Sequence, residues 1–447
     1  MKLQQLVIEK LYGNYNYNIK LNQDVTFIYG NNGCGKTTVL NIIEAIITGQ
    51  LYKLFSFPFH EIKLYYGKSP QKSSVISVMH PHPDSLTVSF ENTISDIQEL
   101  DESDLRSYND RDRREMHQAY FKIYPFLNKI KSLFNYVYLP LNRTHTAIDT
   151  DEVSYMAYRH YRDNSFYDEI PLLSTGLKDP AMVEIESLIY RSFSRINSKL
   201  NALGDEFRNN ILQSALSVES KISLEQMMRK AIMNRSTVPE LERAKESYTN
   251  ILQELHLNAS EEKITDFFNG MIKDYKTLEE NSFEKISLDF FIRYNEMIKI
   301  KEIVAIAEHI EAQKSMIRKP LETFLDTINS FIYNEEDGKT IKIDQVGRIY
   351  FTTKYNNKHI SIHYLSSGEK QLLMFFANLI FKVRDTSAGI FVVDEPELSL
   401  HLSWQRIFVE KALEINRNIQ LIFATHSPEM IGAYRNRMFK IVREYDK

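Results

Sequence analysis

Alternating hydrophobic and polar positions open the chain and predict three short strands. These strands span residues 3–8, 17–21 and 25–29. A glycine-rich turn follows the third strand, and an apolar stretch at about 36–47 predicts a helix. Strand-like runs also lie at 74–79, 86–90 and 135–141, with a charged, helix-like stretch at 101–132. A strand, a turn and a helix in this order form the setting that a phosphate-binding loop needs.

The middle of the chain has a helical pattern, with apolar positions three and four residues apart between about 179 and 327. Pro239 and Pro320 are expected to break helices, and no heptad is sustained, so the pattern favours a bundle or a short hairpin over a long rod. Strands return afterwards and alternate with helices, as in an α/β sheet. The predicted segments lie at 340–346, 348–353, 359–364, 390–394, 399–416 and 419–425.

The composition predicts a globular chain with a sizeable core, because 43% of the 447 residues are hydrophobic and 26% are charged. No apolar run reaches the roughly 20 residues that cross a bilayer, and no secretory signal opens the chain. We therefore expect a cytoplasmic protein without a membrane partner. The single cysteine, Cys34, excludes an internal disulfide and a Cys-rich zinc site. The formal net charge of −4 gives no general attraction toward nucleic acid.

The turn after the third strand has the spacing of a phosphate-binding loop at residues 30–37. Small residues there let backbone N–H groups surround anionic oxygens at a helix N-terminus. Lys36 is expected to reach the β- and γ-phosphates of ATP, and Thr37 to bind Mg²⁺. The predicted nucleotide-binding residues of this segment are Gly30, Asn31, Asn32, Gly33, Cys34, Gly35, Lys36, Thr37 and Thr38.

The apolar strand at 390–394 ends in two adjacent carboxylates, Asp394 and Glu395. The carboxyl ends of strands are where α/β proteins bind ligands, so Asp394 is predicted to hold Mg²⁺ directly or through water. Successive side chains at a strand end diverge, which allows Glu395 to face the γ-phosphate and polarise the attacking water. A strand followed by Asp-Glu is also common without any such role.

The second lobe carries the segment Leu365-Ser366-Ser367-Gly368-Glu369, which resembles the signature sequence of ABC-type ATPases. Its LSSGE form is similar to that of the branch with RecF-like, SMC-like and OLD-family ATPases. In that family the signature residues bind the γ-phosphate held by the opposite subunit, and the resemblance implies this role for residues 366–369. A serine hydroxyl and free amides before a helix also form an anion site on physical grounds. The bare pattern equally predicts a helix N-cap, which Ser367 could supply as well.

Two further motifs follow in the order of the same family. Residues 397–401 resemble its D-loop, and Ala424-Thr425-His426-Ser427-Pro428 resembles its switch-histidine motif. The resemblance implies that His426 contacts the γ-phosphate and senses its loss, and that Glu395, His426 and Lys36 are the catalytic residues. A lone histidine at a strand end is otherwise more often a capping or packed residue.

Together the motifs imply an α/β ABC-ATPase head, which is a P-loop NTPase fold with a mixed sheet flanked by helices and a large helical insertion. The expected regions are a first lobe at 1–178, a helical arm at 179–335 and a second lobe at 336–447. The resemblance covers roughly 1–50 and 340–435. The family's glutamine loop, which contacts magnesium, has no evident counterpart in the sequence.

Three other residues lie near these motifs. Arg143 matches a Leu-Pro…Arg element of defence-associated ATPases in this branch, where it would contact nucleotide or the opposing subunit. It fits a solvated arginine at a strand end equally well. Trp404 and Gln405, beside the D-loop, are expected to pack the head.

Three functional hypotheses follow from an ATP site shared between subunits. In the first, a homodimer or higher homo-oligomer controls a separately encoded nuclease or toxin, as the ATPase subunits of Septu- and PARIS-type antiphage systems do, with a phage protein or DNA as candidate trigger. In the second, a RecF- or SMC-like ATPase clamps DNA, although the scattered lysines predict no basic stripe. The third is an OLD-type nuclease, for whose extra domain the sequence after His426 is too short. We favour the first and expect an ATPase without a nuclease domain.

Overall fold

The computed structural model describes residues 1–31, 33–69, 72–99, 120–139, 179–216, 229, 236–254, 260–279, 288–382, 389–441 and 444–445. The chain divides into two compact units. The first contains Met1–Phe193 and Leu321–Lys447, and the second contains Ser194–Pro320. Both ends of the sequence therefore build the first unit.

The strands of the described residues are numbered in chain order. They are β1 Lys2–Leu11, β2 Tyr15–Lys20, β3 Val25–Tyr29, β4 Glu61–Ser69, β5 Lys72–His82, β6 Ser85–Phe90, β7 Thr93–Gln98, β8 Asn135–Leu139, β9 Thr340–Ile343, β10 Ile349–Thr353, β11 Asn356–Ser361, β12 Gly389–Asp394, β13 Gln420–Thr425, β14 Met438–Lys440 and β15 Glu444–Tyr445. The α-helices are α1 Lys36–Ile47, α2 Phe126–Leu133, α3 Pro180–Leu216, α4 Val238–Glu254, α5 Glu261–Glu279, α6 Leu288–Ile332, α7 Ser367–Ala377, α8 Leu402–Ile415 and α9 Pro428–Ile431.

Within these described ranges the strands form three sheets, all in the first unit. An antiparallel sheet has the order β15-β2-β1-β4-β5-β6-β7, and a smaller antiparallel sheet has the order β11-β10-β9. The third sheet, β14-β3-β13-β12-β8, is parallel throughout. Strands from the first and last parts of the chain thus lie side by side in one parallel sheet, which confirms the predicted α/β fold.

Hydrophobic composition explains why β12 and β13 occupy the middle of the parallel sheet. Every residue of both strands is buried, as expected for strands covered on both faces. Successive side chains point to opposite faces, so Ile390 and Val392 join one core cluster while Phe391 and Val393 join the other. The first cluster includes α1 and strands of the large antiparallel sheet, and the second includes α7 and α8.

The register of the parallel sheet brings three strand ends to one edge. Asp394 at the end of β12 pairs with Ala424 of β13, and Thr425 pairs with Tyr29 at the end of β3. The phosphate loop, the acidic pair and the switch histidine each follow one of these ends. Because parallel strands share a direction, the motifs meet at the edge where α/β folds bind ligands.

The second unit is helical and has its own core, which includes Phe268, Met271 and Phe290. Pro320 was expected to break a helix, and this prediction was wrong, because it lies inside α6, which is 45 residues long and continues beyond it to Ile332. A proline removes one helix hydrogen bond, here the bond to the carbonyl of Met316, in a part of the helix where Met316 is 73% exposed. Pro239 is the second residue of α4, where a proline is tolerated. No helix among the described residues is long and apolar enough to span a membrane.

Candidate nucleotide-binding site

The phosphate loop joins β3 to α1 and requires glycine at several positions. Gly33 and Gly35 have φ angles of 76° and 96°, in the left-handed region that favours glycine. A Cβ atom on Gly30 would lie 2.6 Å from the Sγ atom of Cys34, which is buried. Gly35 is the N-cap of α1 and supplies no capping side chain, so the first amides of this helix are left for an anion. Asn32, also predicted to bind nucleotide, lies outside the described residues.

Lys36 is 6% exposed, and its ammonium group is held by the loop that precedes it. Nζ donates to the carbonyls of Gly30 at 3.1 Å and Asn31 at 3.3 Å. It is also hydrogen-bonded to Nε2 of His426. A lysine ammonium only donates, so the imidazole nitrogen is the acceptor. The loop lysine and the switch histidine therefore belong to one site, as the motifs predict.

Thr37 and Asp394 form a pair of oxygen donors beside the lysine. Thr37 Oγ1 donates to Asp394 Oδ2 at 2.8 Å, while Asp394 Oδ1 is buried without a hydrogen-bond partner in the described part of the chain. Burial raises the pKa of the Asp394 carboxyl, and the Glu395 and Glu397 carboxylates raise it further, against the Thr37 hydrogen bond and the Lys36 charge. An orphan carboxylate oxygen next to a hydroxyl fits a hard divalent cation such as Mg²⁺, which prefers oxygen ligands.

Glu395 leaves the strand through a left-handed turn. Its φ angle is 45°, and its N–H donates to the carbonyl of Ala424 at 2.8 Å. A non-glycine residue in this region carries on the order of 1 kcal/mol of strain, which is typical of functional sites. Glu395 Oε1 lies 3.9 Å from His426 Nε2 and the side chain remains partly exposed. The carboxylate is thus beside the histidine, while the neighbouring Asp394 is 4% exposed and faces Thr37.

The signature segment begins α7 with a capping box. The N-cap is Ser366 and not Ser367, because Ser366 Oγ accepts from the amide of Glu369, whose carboxylate accepts from the Ser366 amide at 2.8 Å. Glu369 is also ion-paired with Lys339 at 2.9 Å and is buried. Glu369 therefore orders the segment, whereas the two serines are exposed at the start of the helix.

The D-loop, residues 397–401, packs directly on this signature segment. A Cβ atom on Gly368 would lie 2.3 Å from the carbonyl oxygen of Ser399, so only glycine allows the two backbones to approach this closely. Ser399 itself has a φ angle of 68°. Gln371 Nε2 of α7 donates to the carbonyl of Pro396 at 2.6 Å, just before the loop. The signature helix and the D-loop therefore form one surface.

Glu397 was predicted only as the first residue of the D-loop, and the sequence analysis gave its side chain no role in the site. Its Oε1 accepts from the backbone N–H of His426 at 2.6 Å, and its Oε2 is buried without a partner within the described chain. A third acid two residues after the Asp394–Glu395 pair was visible in the sequence. No spacing rule links such an acid to a backbone amide 29 residues away, so the contact had to be observed.

Two predicted residues remain, Thr38 and Arg143. Thr38 lies in the first turn of α1 and is partly buried. Arg143 lies outside the described residues. Among the residues that the structure does describe, no group of three or more His, Cys, Asp and Glu side chains forms a further metal site.

The fold and the site define a P-loop ATPase with an ABC-type head and a helical insertion. The phosphate loop, acidic pair and histidine lie at one edge of a parallel sheet, and the D-loop contacts the signature helix. The AAA ATPase domain family AAA_15 matches residues 1–431. The chain therefore belongs to this ATPase family.

Two curated relatives are similar over part of the chain. The Retron Vc95 probable ATPase of Vibrio cholerae serotype O1 biovar El Tor is 28% identical over 148 residues, which cover 31% of this chain and 27% of the relative. The Retron Ec83 probable ATPase of Escherichia coli is 28% identical over 134 residues, which cover 28% of this chain and 24% of the relative. The chain thus spans about a quarter of the length of these relatives.

Solved structures of Smc heads are similar at lower identity. The head domain with an extended coiled coil bound to the C-terminal domain of ScpA, from Pyrococcus furiosus, aligns with a TM-score of 0.41 and 12% identity, over 98% of this chain and 92% of that one. The head domain with a coiled coil and joint from Pyrococcus yayanosii aligns with a TM-score of 0.37 and 14% identity, over 98% and 94%.

Proposed function

We propose that two copies of this chain close head to head around ATP and Mg²⁺, and that closure controls a separately encoded nuclease or toxin in antiphage defence. The exposed signature is the observation that carries the proposal. Ser366 and Ser367 are exposed, and the hydrogen bonds of Ser366 run to Glu369 rather than to the phosphate loop. One head thus presents a nucleotide half-site and, separately, an anion-binding helix start that a second head can use.

The surface around the signature supports pairing with a second copy. Tyr364 just before it and Leu402 just after the D-loop are each 55% exposed, and Leu398 in the D-loop is 43% exposed. Apolar side chains next to an exposed helix N-terminus suit an interface with an apolar centre and polar contacts. In a two-fold dimer the same patch would be buried on both subunits.

The proposed reaction is in-line attack of water on the γ-phosphate. Glu395 orients and deprotonates the water, while Lys36 and the partner subunit's Ser367 stabilise the charge that develops on the phosphate oxygens. His426 contacts the γ-phosphate and links it to Glu395. Thr37 and Asp394 would hold the Mg²⁺ ion, which when bound neutralises phosphate charge.

The defence role rests on two supports. The Leu-Pro…Arg element at Arg143 resembles that of defence-associated ATPases, and the helical insertion favours the ATPase subunits of Septu- and PARIS-type antiphage systems, in which the effector is a separate protein. The net charge of −4 gives no general attraction to DNA, so a protein partner fits better than a DNA clamp. The retron relatives support the ATPase assignment.

The test is a pull-down from the native host with the Glu395→Gln chain, ATP and Mg²⁺. This variant should bind ATP without hydrolysing it and so accumulate closed dimers. We expect a stoichiometric nuclease-like or toxin-like protein, identified by mass spectrometry, and loss of that protein with the Lys36→Ala control. Recovery of duplex DNA without a protein partner would overturn the effector proposal in favour of a DNA-clamping ATPase.

A further inference from the structure

Gln405, in the first turn of α8, has a buried side chain whose amide is fully engaged. Its Nε2 atom donates to the carbonyls of Leu400 at 2.9 Å and Glu397 at 3.3 Å. Its Oε1 atom accepts from Ser427 Oγ at 2.6 Å. The two amide protons and the acceptor oxygen thus all have partners. From the sequence, Gln405 was expected only to pack the head. The structure shows in addition that its hydrogen bonds join the D-loop to the segment after β13.

A second bond joins the same two segments. The amide of His426 donates to Glu397 Oε1 at 2.6 Å, and Ser427 is the next residue in the chain. Glu397, Gln405, Ser427 and His426 consequently form a closed ring, in which three hydrogen bonds are completed by the peptide link between His426 and Ser427. The two bonds hold the backbone at His426 and Ser427 against the D-loop at two separate points.

The D-loop also contacts the signature helix. Ser399 abuts Gly368, and Gln371 bonds to Pro396 at the base of the loop. A displacement of the signature surface would therefore move the D-loop, and the ring would carry that movement to His426. Small shifts are transmitted in this way where the connecting groups are closely packed and fully hydrogen-bonded.

We propose that Gln405 is a positioning residue that holds His426 beside Glu395 and couples the D-loop to the ATP site. The coupling of D-loop movement to hydrolysis rests on the proposed closure of two heads. The positioning of His426 within one head does not depend on it. Gln405 touches neither the phosphate loop nor Lys36 in the described contacts, so its effect should fall on turnover rather than on ATP affinity.

Gln405→Met tests the proposal, because methionine has a similar length and volume but cannot form these hydrogen bonds. We expect kcat for ATP hydrolysis to fall about tenfold while KM changes less than about threefold. Gln313→Met on α6 is the control, since Gln313 is only partly buried and its bond to His309 lies in the helical unit. A wild-type kcat for Gln405→Met would overturn the positioning role.

Hydrogen exchange of the same variant without nucleotide gives a readout that needs neither hydrolysis nor dimers. The amides of the D-loop and of His426 should exchange about tenfold faster, while the α1 amides remain unchanged. Unchanged exchange at His426 would overturn the inference, and so would a uniform increase over the whole head, which indicates general destabilisation. Failure of the wild-type chain to form ATP-dependent dimers would contradict the proposed function instead, and the exchange result would still decide the role of Gln405.

Discussion

Lys36 Nζ and His426 Nε2 share a hydrogen bond, so the cation of the phosphate loop and the switch histidine are direct partners within one head. The same imidazole nitrogen lies 3.9 Å from Glu395 Oε1. The histidine thus stands between the lysine that would meet the γ-phosphate and the carboxylate that would orient water. An incoming γ-phosphate must compete with His426 for the lysine ammonium, and the charged phosphate forms the stronger bond.

We predict that His426→Ala lowers kcat about 100-fold but leaves ATP affinity within about threefold of wild type. Removal of the imidazole frees Lys36 to bind phosphate, which offsets the lost contact between His426 and the γ-phosphate. Steady-state hydrolysis and titration with a fluorescent ATP analogue measure the two effects. His60→Ala, at a half-exposed histidine paired with Glu9, should change neither quantity. A tenfold loss of ATP affinity with a normal kcat would show that His426 contributes to ATP binding and not to hydrolysis.

Gly368→Ala should damage the contact between the signature and the D-loop. The added Cβ would lie 2.3 Å from the Ser399 carbonyl oxygen, a backbone atom that cannot move without the loop. We expect the free energy of unfolding of the head to fall by about 1–3 kcal/mol and hydrolysis to fall at least about tenfold. Monomer ATP binding should persist, because the atoms nearest to the added Cβ belong to Ser399 and Trp404 and not to the phosphate loop.

Gly204→Ala in α3 is the matched control for this substitution. Its added Cβ meets no atom within 4 Å, and alanine favours a helix by up to about 1 kcal/mol, so stability should rise slightly and activity should not change. Thermal unfolding and ATPase assays on the two glycine variants provide the comparison. Equal behaviour of Gly368→Ala and Gly204→Ala would show that the D-loop tolerates displacement.

The sequence predicts the parts of the site that depend on local structure. A glycine-rich turn between a buried strand and a helix is the local setting of a phosphate-binding loop, and the apolar run at 390–393 that leads into Asp394 predicts a covered strand. The correct N-cap of α7 could also have been predicted from the sequence. The box Ser-x-x-Glu places Glu369 three residues after Ser366, so Ser366 and not Ser367 fits the cap.

The contacts that connect the motifs could not be predicted in this way. Glu397 accepts from the backbone amide of His426, and Gln405 accepts from the hydroxyl of Ser427. These groups come close only after β12 and β13 pair, and neither contact requires a particular sequence spacing. The prediction that Pro320 breaks a helix was wrong for a different reason. A proline inside a helix costs about 3 kcal/mol, but this cost is local, whereas α6 is stabilised by packing along its length. Phe324 and Ile328, just beyond the proline, are fully buried.

Asp394→Asn should stabilise the head in the absence of Mg²⁺ while abolishing Mg²⁺-dependent hydrolysis, with a loss of at least about 100-fold. Asn keeps an oxygen that can accept from Thr37 but removes a buried charge that Glu395 and Glu397 repel. The pKa of Asp394 is raised in the folded chain, so the folded state binds more protons than the unfolded one, and stability decreases as pH rises from 3.8 through the raised pKa.

The stability difference between Asp394→Asn and wild type should therefore grow as pH rises through that window and then remain constant. Thermal unfolding of both chains in EDTA across the acid to neutral range measures it. A variant that is less stable than wild type at neutral pH would indicate that the carboxylate has a stabilising partner, contrary to the orphan Oδ1 atom.

Two inactive variants should restore activity when mixed, if each ATP site takes its phosphate loop from one head and its signature from the other. Lys36→Ala disables the phosphate loop, and Ser367→Arg blocks the signature with a bulky side chain. In a mixed dimer both lesions fall in one site, and the second site combines an intact loop with an intact signature. Random mixing should then recover roughly a quarter of wild-type activity, since about half of the dimers are mixed and each has one working site. Size-exclusion chromatography with ATP and Mg²⁺ checks that mixed dimers form. If they form and the mixture remains as inactive as either variant alone, the shared site is contradicted.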